Sequence, residues 1–211
     1  MAPLRIFLRS ASGSGTVAVA AGIGGVDAAV GATRAIAAHR PSRVIFVGTA
    51  GLYPGTHLGI GLGDAAVAGE LVLAATAAVR GEGYLPAPQI TEAATAPGLR
   101  AALLAACARD QPVRVACPTA ITSSATLGRR IARACRAALE NLEAFSVARA
   151  AAAAGVDFAA VLGIANWVGP AAHSEWRANH LAASRAACRV VVAALRSGAV
   201  KAPSRRARSK S

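Results

Sequence analysis

The run SRVIFVGTAG, residues 42–51, decides the fold. Its Val44-Ile45-Phe46-Val47 core is continuously rather than alternately apolar. A strand of that kind is covered on both faces, as in the sheet of an α/β domain. Working outward, LRIFL (4–8) and TVAVA (16–20) read as strands separated by a Ser/Gly turn. AGIGGVDAAVGATRAIAAHR (21–40) passes from a glycine turn into a helix ending near His39, and GDAAVAGELVL (63–73) predicts the next strand. Residues 74–97 carry no strong pattern and read as a loop-rich excursion. A helix over 98–109 and a strand at VRVAC (113–117) follow. The stretch 127–155 is helical at both ends, and DFAAVLGIANWVG (157–169) is the last strand with its exit. His173 to Arg196 makes the final helix, with Trp176, Leu181, Val190, Val191 and Leu195 available for packing. This alternation predicts one α/β domain with a central mixed β-sheet flanked by helices, over residues 1–200.

At 211 residues the chain can bury a sizeable core, and 55% of it is hydrophobic, much of that alanine. No apolar run reaches the ~20 residues of a membrane span, and the N-terminal apolar patch is too short for a secretory signal. A cytoplasmic protein with no membrane partner is the expectation. The net charge is +13, and the tail KAPSRRARSKS (201–211) holds five of the basic residues with almost no apolar content. Such a tail is expected to be solvated and disordered. Clustered Arg and Lys bind phosphate without reading sequence, but no aromatic residue stands in the tail to stack on bases. Nucleic acid is therefore not the expected partner.

Cofactor and metal motifs are lacking. The four cysteines, Cys107, Cys117, Cys135 and Cys188, show no CxxC spacing and read as reduced thiols. GIGGVD departs from GxGxxG because Asp27 replaces the third glycine, and no Walker lysine occurs. There is no GxSxG elbow, and His39, His57, His173 and His180 fall in unrelated contexts. Neither a cofactor nor a metal is expected.

Three places carry candidate chemistry. In open α/β sheets ligands gather beyond the carboxyl ends of strands, and VGTAG (47–51) and IANWVG (164–169) are two such ends. Glycines in the first admit a ligand close to backbone N–H groups, and Thr49 adds a hydroxyl; an ordinary glycine turn would look the same. In the second, the amide of Asn166 must find hydrogen-bond partners in the protein or in a ligand. The third is ENLEAF (140–145), where Glu143 reads either as an acceptor for sugar hydroxyls or as an acid at a helix N-terminus.

Taken in order, these segments resemble the nucleoside phosphorylase and nucleosidase superfamily. AGIGGVDAAVGATRAI is similar to its glycine-rich turn and helix, and VIFVGTAGLYPG with GLGDAAVAGE to its strand, G-[ST]-A-G loop and next strand. ENLEAFSVARAAAAAGVDFAAVLGIANWVG is similar to the stretch from the M-E ribose-binding pair to the base-binding strand end. TAITSSATLG (119–128) and IANWVGPAAHSEW (164–176) look most like futalosine hydrolases, which release hypoxanthine in menaquinone biosynthesis. The resemblance implies that Thr49, Ala50, Gly51, Thr122, Leu142, Glu143 and Asn166 line the substrate site, with Glu143 holding ribose and Asn166 addressing the purine N7 side. It implies a homo-oligomer and hydrolysis of a 6-oxopurine nucleoside, since an amide can both donate and accept but has no titratable proton to give.

The sequence also departs from the family's pattern. The first carboxylate is Asp27, so the glutamate that relatives place near the N-terminal strand to activate water has no counterpart. Phe46 stands where phosphorolytic relatives have arginine, Ala165 precedes Asn166 where serine is usual, and an arginine usual near Ala171 is missing. A nucleoside-binding paralogue with impaired catalysis is the alternative these departures raise.

Overall fold

The computed structural model describes residues 5–10, 15–56 and 59–200. The basic tail and His57 lie outside the described residues. The chain runs β1 (Arg5–Ser10), β2 (Thr16–Ala20), α1 (Gly24–His39), β3 (Pro41–Leu52), β4 (Ala65–Ala74), α2 (Thr76–Arg80), β5 (Glu92–Ala94), α3 (Pro97–Leu104), β6 (Val113–Pro118), α4 (Ala125–Cys135), β7 (Leu139–Glu140), α5 (Ala144–Ala153), β8 (Asp157–Trp167) and α6 (Ala172–Arg196). It is an α/β domain with a mixed eight-stranded sheet, as the sequence predicts.

The strand pairings close on themselves. β3 runs parallel to β8, which pairs antiparallel with β4; β4 runs parallel to β6, and β6 to β7. β7 then returns antiparallel to the end of β3, through Gly51↔Glu140 and Leu52↔Leu139. β1 and β2 extend the sheet outward from β3, and β5 lies along β4. Closure of this kind removes unpaired strand edges from the ring and leaves β2 and β5 as the sheet edges.

The apolar run of β3 is covered on both faces, and by different elements. Val44 and Phe46 enter one buried cluster with Ala28, Ala32 and Ile36 of α1 and Val147 and Ala151 of α5. Ile45 and Val47 enter another with Leu99 and Leu103 of α3 and Val190, Val191 and Ala194 of α6. Glycine sets two of the helix–sheet distances. A Cβ at Gly163 of β8 would lie 2.0 Å from the Ala183 carbonyl oxygen of α6, and one at Gly31 of α1 would lie 2.0 Å from that of Ala21.

Several local expectations are corrected. The stretch 74–97 contains α2 and β5, the second held by antiparallel pairing to β4 that no local pattern announces. The helix expected over 98–109 begins with Pro97 at its first positions and ends at Leu104. Between the two helical ends of 127–155 lies β7, two residues long, which exists because it joins β6 to β3. α4 begins at Ala125, where the Ser124 hydroxyl accepts from the Leu127 N–H, and ends at Arg136 in the left-handed region. On α6, Val190 and Val191 are buried as expected, but Leu181 is 50% exposed, and alanines 183, 187 and 194 make the contact instead. Among the described residues no helix is long and apolar enough to cross a membrane.

Candidate active site

The end of β3, the end of β8 and the start of α5 meet at one end of the strand ring. β3 and β8 run in register from Arg43↔Asp157 to Ala50↔Ile164, where a bulge slips the pairing by one residue. Gly51 therefore stands opposite Asn166 rather than Ala165. The slip re-aims the Asn166 side chain, as bulges do. The space is tight: a Cβ at Gly51 would lie 2.9 Å from Asn166 Nδ2 and 2.9 Å from Val168 Cγ2. Asn166 Nδ2 donates to the Trp167 carbonyl at 2.9 Å, which leaves its second N–H and its Oδ1 unassigned among these contacts.

Glu143 stands immediately before α5 and is only 4% exposed. Its side chain does not cap its own helix. Instead Oε1 accepts from the Gly24 N–H at 2.9 Å, at the first turn of α1, and Oε2 accepts from Asn141 Nδ2 at 3.0 Å. The glycine turn before α1 thus serves this carboxylate, with Gly22 and Gly24 both in the positive-φ region that favours glycine. Burial pushes the Glu143 carboxyl above its ordinary range, while the N–H donors around it pull the other way. The backbone N–H groups of Leu142 and Glu143 also act on this carboxylate.

Asn141 links this carboxylate to β3. Its Nδ2 also donates to the Thr49 carbonyl at 3.0 Å, and its Oδ1 accepts from the N–H groups of Glu143 and Ala144 at 3.0 and 2.7 Å. The Thr49 hydroxyl accepts from Trp176 Nε1 at 3.1 Å. Trp176 is therefore not simply an apolar anchor of α6. It is half-buried, its ring is stacked 4.5 Å from that of His180 and 6.3 Å from that of His173, and its indole N–H reaches into the site. Trp167 is 40% exposed, with its N–H donating to Glu175.

Of the residues singled out by sequence, Thr49, Gly51, Glu143 and Asn166 come together here, with Leu142 half-buried beside Glu143. Ala50 joins them through its backbone, because its methyl is packed in the core. Thr122 stands one connection away: it is buried, and its N–H donates to Glu140 Oε1 at 3.0 Å. Glu140 Oε2 accepts from the Tyr53 hydroxyl at 2.9 Å. Burial, with the Glu140 carboxylate beside it, pushes the Tyr53 phenol upward, so it stays protonated and donates. Asn141, Glu140, Tyr53 and the hydrogen-bonding role of Trp176 were not foreseen. ENLEAF holds a signal for the first, since an Asn two residues before an N-terminal acid can bond successive backbone N–H groups.

Burial pushes the Cys117 thiol up to about 12 and also raises Cys135, so both are protonated near neutral pH. Among the described residues no group of three His, Cys, Asp or Glu side chains could hold a metal ion. Two surface cavities, of about 430 and 320 Å³, lie away from Thr49, Glu143 and Asn166. In the first, Arg114 is paired with Glu70 and Glu92, and Arg100 with Thr95. In the second, Arg80 lies 4.0 Å from Glu82.

Fold and site together define an α/β protein whose strand ring carries a glycine-threonine strand end, a buried glutamate and an amide at one end. The family model described as Phosphorylase superfamily matches residues 3–196, and the chain belongs to that superfamily. Solved structures share the fold. The 5′-methylthioadenosine/S-adenosylhomocysteine nucleosidase of Neisseria meningitidis, in complex with methylthio-immucillin-A, is 18% identical over 86% of this chain and 80% of its own, with a TM-score of 0.74. Futalosine hydrolase of Helicobacter pylori is 19% identical over 86% of this chain and 80% of its own, with a TM-score of 0.75. The 5′-methylthioadenosine/S-adenosylhomocysteine nucleosidase of Helicobacter pylori is 17% identical over 92% and 85%, with a TM-score of 0.77. No curated protein matches the sequence.

Proposed function

We propose that this protein is a purine nucleosidase that hydrolyses the N-glycosidic bond of a 6-oxopurine nucleoside, of the kind futalosine represents. The observation that carries the reading is the single hydrogen-bonded unit formed by the ends of β3 and β8 and the start of α5, with Asn166 at one side and Glu143 at the other. Similarity to nucleosidases of both 6-amino and 6-oxo type supports the reaction class. The amide chemistry of Asn166 supports the 6-oxopurine.

In this reading the ribose hydroxyls donate to the Glu143 carboxylate, whose negative charge favours the oxocarbenium character that develops on the sugar. Asn166 donates to the departing base and steadies its growing negative charge without transferring a proton. Water attacks C1′ from the side of the Thr49 loop. Phosphate is not the nucleophile: the position of the phosphate-binding arginine is taken by Phe46, which is fully buried in the core. The protein is further proposed to work in the cytoplasm as a homo-oligomer.

Purified protein is expected to release hypoxanthine from futalosine, and more slowly from inosine. Glu143→Ala should lower kcat/KM at least about 100-fold, which corresponds to about 2.7 kcal/mol of lost transition-state stabilisation. Because the raised Glu143 carboxyl must be ionised to act, activity should fall on the acid side at a pH above the ordinary carboxylate range. A folded sample inactive towards a panel of 6-oxo and 6-amino purine nucleosides would sink the proposal.

A second reading is favoured by a specific observation. The Glu140 carboxylate is occupied by Tyr53 and Thr122, and no carboxylate precedes Asp27 in the chain. The site then lacks a group to activate water, and the protein binds a nucleoside without cleaving it. Calorimetric binding of a nucleoside with no base released over hours identifies this case.

A further inference from the structure

We propose that Asn141 is the positioning residue of the site, the amide that fixes the Glu143 carboxylate relative to the end of β3 at Thr49. The inference rests on the proposed role of Glu143 at the sugar. Asn141 is 5% exposed and makes four hydrogen bonds, which exhausts what a side-chain amide can form. Its two N–H hydrogens go to acceptors on different parts of the fold, the Thr49 carbonyl at the end of β3 and Glu143 Oε2 at the start of α5. Its oxygen takes the N–H groups of Glu143 and Ala144, two of the orphan donors at that helix end. One side chain therefore sets the direction in which α5 starts, the rotamer of Glu143 and the distance from Glu143 to the strand end that carries Thr49.

Residue chemistry makes asparagine specific here. Aspartate is as good an acceptor for the helix N–H groups but has no hydrogen to give. It would also set a second carboxylate against Glu143 Oε2, and two carboxylates so close do not ionise independently. Glutamine is longer by a methylene in a fully occupied space. The surroundings of Glu143 are otherwise uncharged in effect. From α1 it meets the backbone of Gly24, and Asp27 of that helix is exposed. From β6 it faces the neutral Cys117 thiol, and Glu140 of β7 is turned to Tyr53 and Thr122. Burial and the hydrogen-bond donors around it are the main causes of the Glu143 shift, so a charge introduced at Asn141 would act on it directly.

The test is Asn141→Asp in the full chain, read by thermal melting, by carbon-13 NMR titration of the Glu143 carboxyl and by the pH profile of base release. Aspartate preserves the helix-start bonds but sets a second charge in a buried site, so the melting temperature at neutral pH should fall by several degrees while the variant still folds. The Glu143 titration should move up by about one pH unit or more, and base release at neutral pH should fall on the order of tenfold or more, its acid limb moving with the titration. Asn141→Ser keeps an acceptor for the helix start, loses the bridge and adds no charge. It should raise the titration by a smaller amount and lower kcat more than it raises KM, and it serves if the aspartate variant does not fold. A Glu143 titration within about a third of a unit of wild type in a folded variant overturns the proposal. The NMR reading needs no turnover. If the wild-type protein cleaves no nucleoside but the titration shifts, the nucleosidase reading fails and the role of Asn141 stands.

Discussion

A methyl group added at Gly51 would lie 2.9 Å from both Asn166 Nδ2, the end of a side chain bonded to the Trp167 carbonyl, and Cγ2 of the β-branched Val168. Gly51→Ala should therefore displace the Asn166 side chain from its place opposite Gly51. We expect a loss of base release of on the order of tenfold or more with a stability cost of about 1–3 kcal/mol, read from kinetics and urea unfolding of the same sample. Unchanged kinetics would mean that Asn166 does not act from this position. At this scale Thr49, Gly51 and Asn166 could be singled out because each is a polar or glycine residue at the end of an apolar run, and Glu143 because it stands just before an alanine-rich helix. Asn141 and Tyr53 were not. Their meaning lies in partners 92 and 87 residues away in the chain, which no local pattern encodes.

Elements were legible in proportion to how far their own sequence accounts for them. β3 and β8 are long and apolar, so both were expected, but the glycine turn read at VGTAG is strand: β3 runs on through Gly51 to Leu52, paired with β8. β7 and β5 were missed because a strand of two or three residues is held by its neighbours, not by its own propensity. Alanine obscured α6: its length was evident, but the contact is made by alanines that let the helix sit close to β8. Gly163 is the other half of that contact. Gly163→Ala places a Cβ 2.0 Å from the Ala183 carbonyl oxygen, backbone against backbone, where no side chain can rotate aside. The variant should lose about 3 kcal/mol or more and expose α6 to proteolysis near residue 183, measured by denaturant melts and limited digestion. A melt within 1 °C of wild type would show that the helix is held less closely than this.

Across the whole molecule, the ring β3–β8–β4–β6–β7 couples every strand in it to two neighbours, whereas β2 and β5 each have one. Local opening free energies follow such coverage. Amide hydrogens of β3 and β8 should exchange only through global unfolding, and those of β2 and β5 orders of magnitude faster, as hydrogen-exchange mass spectrometry would resolve. Uniform protection across the sheet would contradict that hierarchy. The same closure explains why the site exists: it brings Glu140 at the end of β7 against Gly51 of β3, and so places the start of α5 beside the turn.

What the sequence determined by itself is the class of fold and the nature of the candidate chemistry. Strand faces, glycine turns and residue types are local properties, and hydrophobic period together with side-chain chemistry encodes them directly. Only the tertiary structure decided which of those residues share a site and what holds them there. The one-residue slip between β3 and β8 sets Asn166 opposite Gly51, and the saturated amide of Asn141 ties Glu143 to Thr49. Both depend on the register and distance between segments about a hundred residues apart, which are fixed by how the two cores pack.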